Sequence, residues 1–221
     1  MNELIFFASI AISYCLALLF YKLLGKLGLF IWVAIIAVIA NIEVIKCVDI
    51  FGLAVTLGNS LYCSISLATD ILNEKYGAQQ ARKSVWIGFL SLITFVILTQ
   101  ISLLFIPNEV DFASSALYTI FSTTPRICFA SLSCFVMCNI LDTYVFSWLK
   151  KKSKFLWVRV NISTIISQFI DSMLFSLIAF TGLMSIKDVV TLGITTYIIK
   201  VVITMCDTPF IYWSRSIKPL Q

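Results

Sequence analysis

Apolar runs of about twenty residues follow one another along this chain, and nothing else in it narrows the choice of fold so far. At about 1.5 Å of rise per residue, such a run as an α-helix covers the roughly 30 Å hydrocarbon core of a bilayer. The runs fall at about 4–24, 28–48, 52–72, 84–106, 118–149, 160–183 and 188–214. The residue-by-residue alternation of a barrel strand is absent, and inside lipid every backbone N–H and C=O must be paired, which leaves helices. Of the 221 residues, 60% are hydrophobic and 12% charged, with a mean hydropathy of +1.01. A soluble domain of that size could not bury so much apolar surface. The sequence therefore predicts an all-α, polytopic membrane helix bundle of about seven transmembrane helices in a single domain over 1–221. The first run starts after Met1, Asn2 and Glu3 rather than after a basic segment and continues to about Leu24, so a true span is expected there, not a cleaved signal. The fifth run is overlong, and Pro125 is expected to mark its entry into the membrane, with an outer loop before it.

Lys and Arg set the orientation. Lys22 and Lys26 follow the first run; Lys75, Arg82 and Lys83 the third; Lys150, Lys151, Lys152, Lys154 and Arg159 the fifth; Arg215 and Lys218 the last. The alternate loops hold Lys46 and Lys187, and Glu109 and Asp111 lie between the fourth and fifth runs. Twelve cations against two place the C-terminus in the cytoplasm and, with seven spans, the N-terminus outside. An even number of spans would spread the bias over both faces. The net charge of +5 is thereby a topological signal and implies no direct nucleic-acid binding.

A carboxylate near the bilayer centre costs roughly 2.5–3.5 kcal/mol on insertion scales, so such groups face a bundle interior or a cavity. In the sixth run Asn161, Thr164, Gln168, Asp171 and Phe175 recur at steps of three or four, on one helix face. The third run carries Asn59, Tyr62, Ser66, Thr69 or Asp70, and Asn73; the fifth Asn139, Asp142 and Phe146; the seventh Thr196, Lys200, Thr204 and Asp207. One reading is that these faces zip helices together through hydrogen bonds and ion pairs, Lys200 with Asp171 among them. The other is a cavity with a polar lining, favoured because packing calls for small and neutral polar residues more than ionisable ones.

Six of the seven cysteines, Cys15, Cys63, Cys128, Cys134, Cys138 and Cys206, lie inside apolar runs, and Cys47 lies at the end of one. There is no CxxC pair and no histidine, so they read as small hydrophobes, with no metal site. Without histidine the usual Ser–His and HExxH devices are excluded. Asp142 and Asp171 could share a proton as an aspartyl pair, yet neither has a GxGD-like context, and no P-loop is present. No catalytic residue and no cofactor is expected.

The stretches SISLATDILNEKYGAQQARKSVWIGF (64–89), RICFASLSCFVMCNILDTYVFSWLKKKS (126–153), ISQFIDSMLFSLIAFTG (166–182) and KVVIT (200–204) together resemble the bacterial queuosine precursor transporter family, a vitamin-uptake-like group. The resemblance runs from about residue 35 to 210. Its most specific element comprises Thr69, Asp70, Glu74, Tyr76, Gly77, Ala81 and Arg82. It implies a multi-pass inner-membrane carrier that takes up 7-deazaguanine bases, queuine or its cyano and aminomethyl precursors, salvaged for tRNA modification. The first run is then additional to a six-helix family core. The matching positions are Asn41, Asp70, Glu74, Arg82, Arg126, Asp142, Gln168, Asp171 and Lys200. Where many members have Gln, this chain has Asn139, a shorter amide able to alter base preference.

The residues suit such a ligand on their own terms. A deazaguanine offers N–H donors, a carbonyl acceptor and two flat faces. Asp142 and Asp171 can accept the donors, Asn139 or Gln168 can meet the carbonyl, and Tyr62, Phe146 and Phe175 can stack. Asp70, Glu74, Arg82 and Lys75 cluster at the cytoplasmic end of the third run, where a gate or an ion-pair network is expected, a solvated loop being the plainer reading. Gly77 is placed to end a helix. Arg126, at the outer end of the fifth run, is placed to close the other side or to pair with a carboxylate. The partners expected are a small deazapurine base and the lipid bilayer, with a homodimer compatible. A substrate-binding subunit of an energy-coupling uptake complex, a carrier of another heterocycle and a purely structural membrane component stay open.

Overall fold

The computed structural model describes the backbone of residues 1–152, 156–217 and 219; the side chains at 139–140, 142–144, 146–147, 149–164, 204–209, 211–212, 215, 218 and 220–221 lie outside the described residues. The elements in chain order are α1 (Asn2–Glu43), β1 (Cys47–Ile50), β2 (Leu53–Thr56), α2 (Gly58–Tyr76), α3 (Ala78–Ser102), α4 (Ser114–Phe121), α5 (Thr124–Lys152), α6 (Leu156–Phe180) and α7 (Ile186–Ser216). Among the described residues three stretches are long and apolar enough to cross a membrane, Asn2–Glu43, Ala78–Ser102 and Ser114–Cys138, and Ile165–Phe180 is a shorter apolar helix. The protein is a helical membrane bundle, as its composition predicts. The number seven rests on the sequence pattern.

The first two runs are the limbs of α1. Gly25, with φ 56 and ψ −136, leaves the helical region between them, a conformation that strains any residue with a Cβ. The limbs double back on each other. A Cβ at Gly28 would stand 2.1 Å from the Phe20 carbonyl oxygen, the Phe20 and Trp32 rings lie 5.4 Å apart, and Asn2, at the start of α1, donates a 3.4 Å hydrogen bond to the Asp49 carbonyl beyond its end.

Helix was expected to 48 and again from 52, and here the structure corrects the sequence. Residues 47–56 form an antiparallel β-hairpin, Cys47 opposite Thr56 and Ile50 opposite Leu53. Phe51 (φ 52) and Gly52 (φ 76) close it, and two positive φ values in succession make the type I′ turn that suits the twist of paired strands. Ile50 and Val55 are buried, while Phe51 leans on Phe7, ring centroids 6.4 Å apart.

Lipid tails are as apolar as Leu, so helices in a membrane associate through close backbone approach and polar contacts rather than through the hydrophobic effect. At Gly58, the first residue of α2, a Cβ would meet the Ala40 carbonyl oxygen at 2.4 Å. Further along, the Trp32 indole donates to Ser64 Oγ at 3.1 Å in a buried setting. Gly77, with φ 87, ends α2. Past α3, the fifth run is broken into α4 and α5, and Pro125 sits in the first turn of α5, where its missing N–H is not needed. Gln100 donates to the Phe121 carbonyl at 2.8 Å and Phe95 meets Phe121 edge to face, which fastens the end of α4 to α3.

Two compact units result, Met1–Pro125 with Val201–Gln221, and Arg126–Lys200. Within the first, the Tyr14 and Phe210 rings lie 4.8 Å apart. Lys75 Nζ donates to the carbonyls of Ser214 (2.6 Å) and Ile217 (3.2 Å) at the end of α7 and sits 4.8 Å above the Tyr21 ring.

Candidate functional site

In the unit Arg126–Lys200, α6 and α7 approach closely where α7 offers Gly193: a Cβ there would stand 2.8 Å from Met173 Sδ and 3.5 Å from the Ser172 carbonyl oxygen. Seven residues on, two helical turns along the same face, comes Lys200. Its ammonium donates to Asp171 Oδ2 at 2.7 Å, with 18% and 27% of the two side chains exposed. Phe169 and Tyr197, edge to face at 5.3 Å, hold the same two helices together. A charge pair this short offsets part of the cost of placing each partner away from water.

The thiol of Cys138, on α5, lies close to the Asp171 side chain, and Cys134, one turn earlier and buried, lies within the electrostatic reach of both Asp171 and Lys200. Read from sequence as small hydrophobes, these two cysteines belong to the polar face of α5. The available signal was their spacing, Cys134, Cys138, Asp142, at steps of four on one side of the helix. Gln168, three residues before Asp171, is half-buried. Phe175 is half-buried too, its ring edge to face with Phe180 at 6.2 Å. Ser172 is fully buried, and its hydroxyl is the one buried side-chain polar atom without a hydrogen-bond partner among the described residues.

Arg126 engages main chain. Its Nε donates to the Ile178 carbonyl at 2.7 Å and its Nη2 to the Thr181 carbonyl, at the end of α6 where orphan carbonyls and the negative end of the helix dipole favour a cation. The side chains of Asn139, Asp142 and Phe146 lie outside the described residues.

The remaining sequence candidates fall in the other unit. Asn41 is buried and donates from Nδ2 to the Ala37 carbonyl at 2.7 Å. Tyr62 is 41% exposed. Asp70, Glu74 and Arg82 are exposed on the last turns of α2 and the start of α3. Lys75, of the same cluster, ties α2 to α7 through the two carbonyls described above.

The described side chains here are thus a carboxylate paired with a lysine, two thiols and half-buried aromatic rings among apolar neighbours. Among the described residues no group of three or more His, Cys, Asp or Glu side chains is placed to hold a metal ion.

Residues 56–214 match the family model described as "Putative vitamin uptake transporter". A protein of Bacillus subtilis (strain 168) named "Probable queuosine precursor transporter" is 41% identical over 218 residues, 97% of this chain and 94% of that protein. The "Queuosine precursor transporter" of Escherichia coli (strain K12) is 31% identical over 162 residues, 72% of this chain and 70% of that protein. These are names of transporters, not enzymes. No solved structure matches the chain.

Proposed function

The chain belongs to the vitamin uptake transporter family, and on that premise we propose that it takes up queuosine precursors, 7-deazaguanine bases, across the bacterial inner membrane for salvage into tRNA. The observation that carries this reading is the 41% identity extending over 97% of the chain to a protein named for that substrate. The Asp171–Lys200 pair is the ion pair the helix-zipping reading named, and it also gives the carrier an ionisable acceptor inside the bundle.

In the mechanism we envisage, Asp171 accepts ring N–H donors of the base. Lys200 neutralises the carboxylate while the site is empty and gives up part of that bond on binding, so the charge is never left alone in a low dielectric. Cys138 lies beside the carboxylate. Gln168 and Asn139 meet the carbonyl edge, Asp142 adds a second acceptor, and Phe146 and Phe175 cover the ring faces. Asp70, Glu74 and Arg82 serve as a gate on the cytoplasmic side, with Arg126 stabilising the opposite end of the carrier. Asn41 and Tyr62 are proposed as further substrate contacts. The cytoplasmic C-terminus, the outward N-terminus and the operation of residues 1–221 as one transport domain of about seven spans, alone or as a homodimer, are part of the same proposal.

The test is time-dependent uptake of labelled queuine and its two precursors into vesicles that hold this purified chain alone, with and without a proton gradient. Accumulation of one base, lost in Asp171→Asn, is the expected result. Binding without uptake would replace the carrier by a substrate-binding subunit of an energised complex. Neither binding nor uptake would leave the polar faces as helix-packing devices.

A further inference from the structure

Residues 103–113 join α3 to α4 with an inverted polarity. Leu104, Phe105, Ile106, Val110 and Phe112 are between 75% and 95% exposed, and Tyr118 of α4 is 63% exposed. Two of the loop's three polar side chains, Asn108 and Asp111, are by contrast turned onto its own backbone and the start of α4, while Glu109 is exposed. Asn108 Oδ1 accepts from the Val110 N–H at 3.3 Å. Asp111 Oδ1 accepts from the N–H groups of Ala113 (2.7 Å) and Ser114 (2.9 Å), and its Oδ2 from the Ser114 hydroxyl (2.7 Å). The Ser114 hydroxyl and then these amides hold the Asp111 carboxyl below its usual range. Loop and α4 are not loose: Gln100 and Phe95 fasten Phe121 to α3.

The apolar surface of the loop continues the exposed face of α3, where Leu90, Ile97, Leu98 and Ile101 are 48–62% exposed on a helix long and apolar enough to span. A non-helical backbone cannot lie bare in the hydrocarbon core, because its unpaired N–H and C=O groups need water. It can lie at headgroup depth with side chains dipping into the acyl boundary, where rings are at home. From 84 to 125 the sole charges are Glu109 and Asp111, so no cation draws the segment to anionic lipid.

We propose that 103–118 is an interfacial anchor: Phe105, Ile106, Phe112 and Tyr118 seat in the headgroup–acyl boundary of zwitterionic phospholipid and fix the depth of α3 and α4. The test uses Ile106→Trp and Phe112→Trp in the full chain in phosphatidylcholine vesicles, reading the emission each adds to that of the native tryptophans. Both positions are more than nine-tenths exposed, so the exchange leaves packing intact. The expected result is blue-shifted added emission, with its largest loss to lipids brominated near the carbonyl end of the acyl chain and little loss to aqueous acrylamide. A red-shifted emission quenched by acrylamide would put the loop in water. Strongest quenching by bromines at the methyl end would make it re-entrant. Resistance to every quencher would mean that protein, a second copy of the chain included, covers it. Each of these three outcomes overturns the proposal.

Discussion

Asp171 and Lys200 stand 29 residues apart in sequence and 2.7 Å apart in space, and each is intelligible through the other. Orphaning one member of a fully buried pair costs about 3–5 kcal/mol; the residual exposure of 27% and 18% brings the expected cost to about 2 kcal/mol. Asp171→Asn and Lys200→Met are each expected to melt earlier in detergent, and the double variant to regain most of the loss, a coupling readable in a double-mutant cycle. Strictly additive losses would mean that the pair is ornamental. This much of the site was legible, because steps of three and four put Gln168, Asp171 and Phe175 on one face and the same rule marks Lys200. The approach of Cys138 to Asp171 was not. A thiol counts as apolar on any hydropathy scale, and nothing local distinguishes Cys138 from Cys128, which is simply buried. The orphan hydroxyl of Ser172 was equally invisible, since serine in a membrane helix normally satisfies itself on the preceding turn.

At the level of elements, close approach is where the bundle is most vulnerable. Gly58 lies against the main chain of α1, with a would-be Cβ 2.4 Å from the Ala40 carbonyl oxygen and 3.0 Å from Val44 N; backbone cannot swing aside as a flexible side chain can. Gly58→Leu is expected to cost about 3 kcal/mol through overpacking and to lower the melting temperature measurably. At Gly193, where the nearest atom is the flexible Met173 Sδ, alanine is expected to be nearly neutral, and equal losses at both glycines would contradict the distinction. Helices with long apolar runs were readable from length alone. The hairpin at 47–56 was not, because CVDIFGLAVT is a short apolar run in which helix and strand periodicities compete, and its type I′ turn uses Phe51 rather than the Asn or Asp that would announce it. The break at Gly25, by contrast, was readable, since it falls in the gap between the runs 4–24 and 28–48; its φ of 56 was not.

For the molecule as a whole, the asymmetry of Lys and Arg makes the sharpest statement. A fluorescent protein that matures only in the cytoplasm, fused after Gln221, is expected to glow, whereas a reporter that needs export is expected to stay silent at that position; the reverse pattern would overturn the orientation and with it the outer placement of 103–118. A further consequence concerns the order in which the chain is made. The limbs of α1, the hairpin and α2 touch one another within the first 76 residues, so they can settle against each other soon after leaving the ribosome. Lys75, however, waits for the carbonyl of Ser214, 139 residues later, and Tyr14 waits for Phe210. The contacts that close α1 and α2 therefore form only once α7 has been made. A copy cut before α7 would leave Lys75 without the Ser214 and Ile217 carbonyls and Tyr14 without the Phe210 ring, so such a truncation is expected to loosen α1 and α2 even though both are intact.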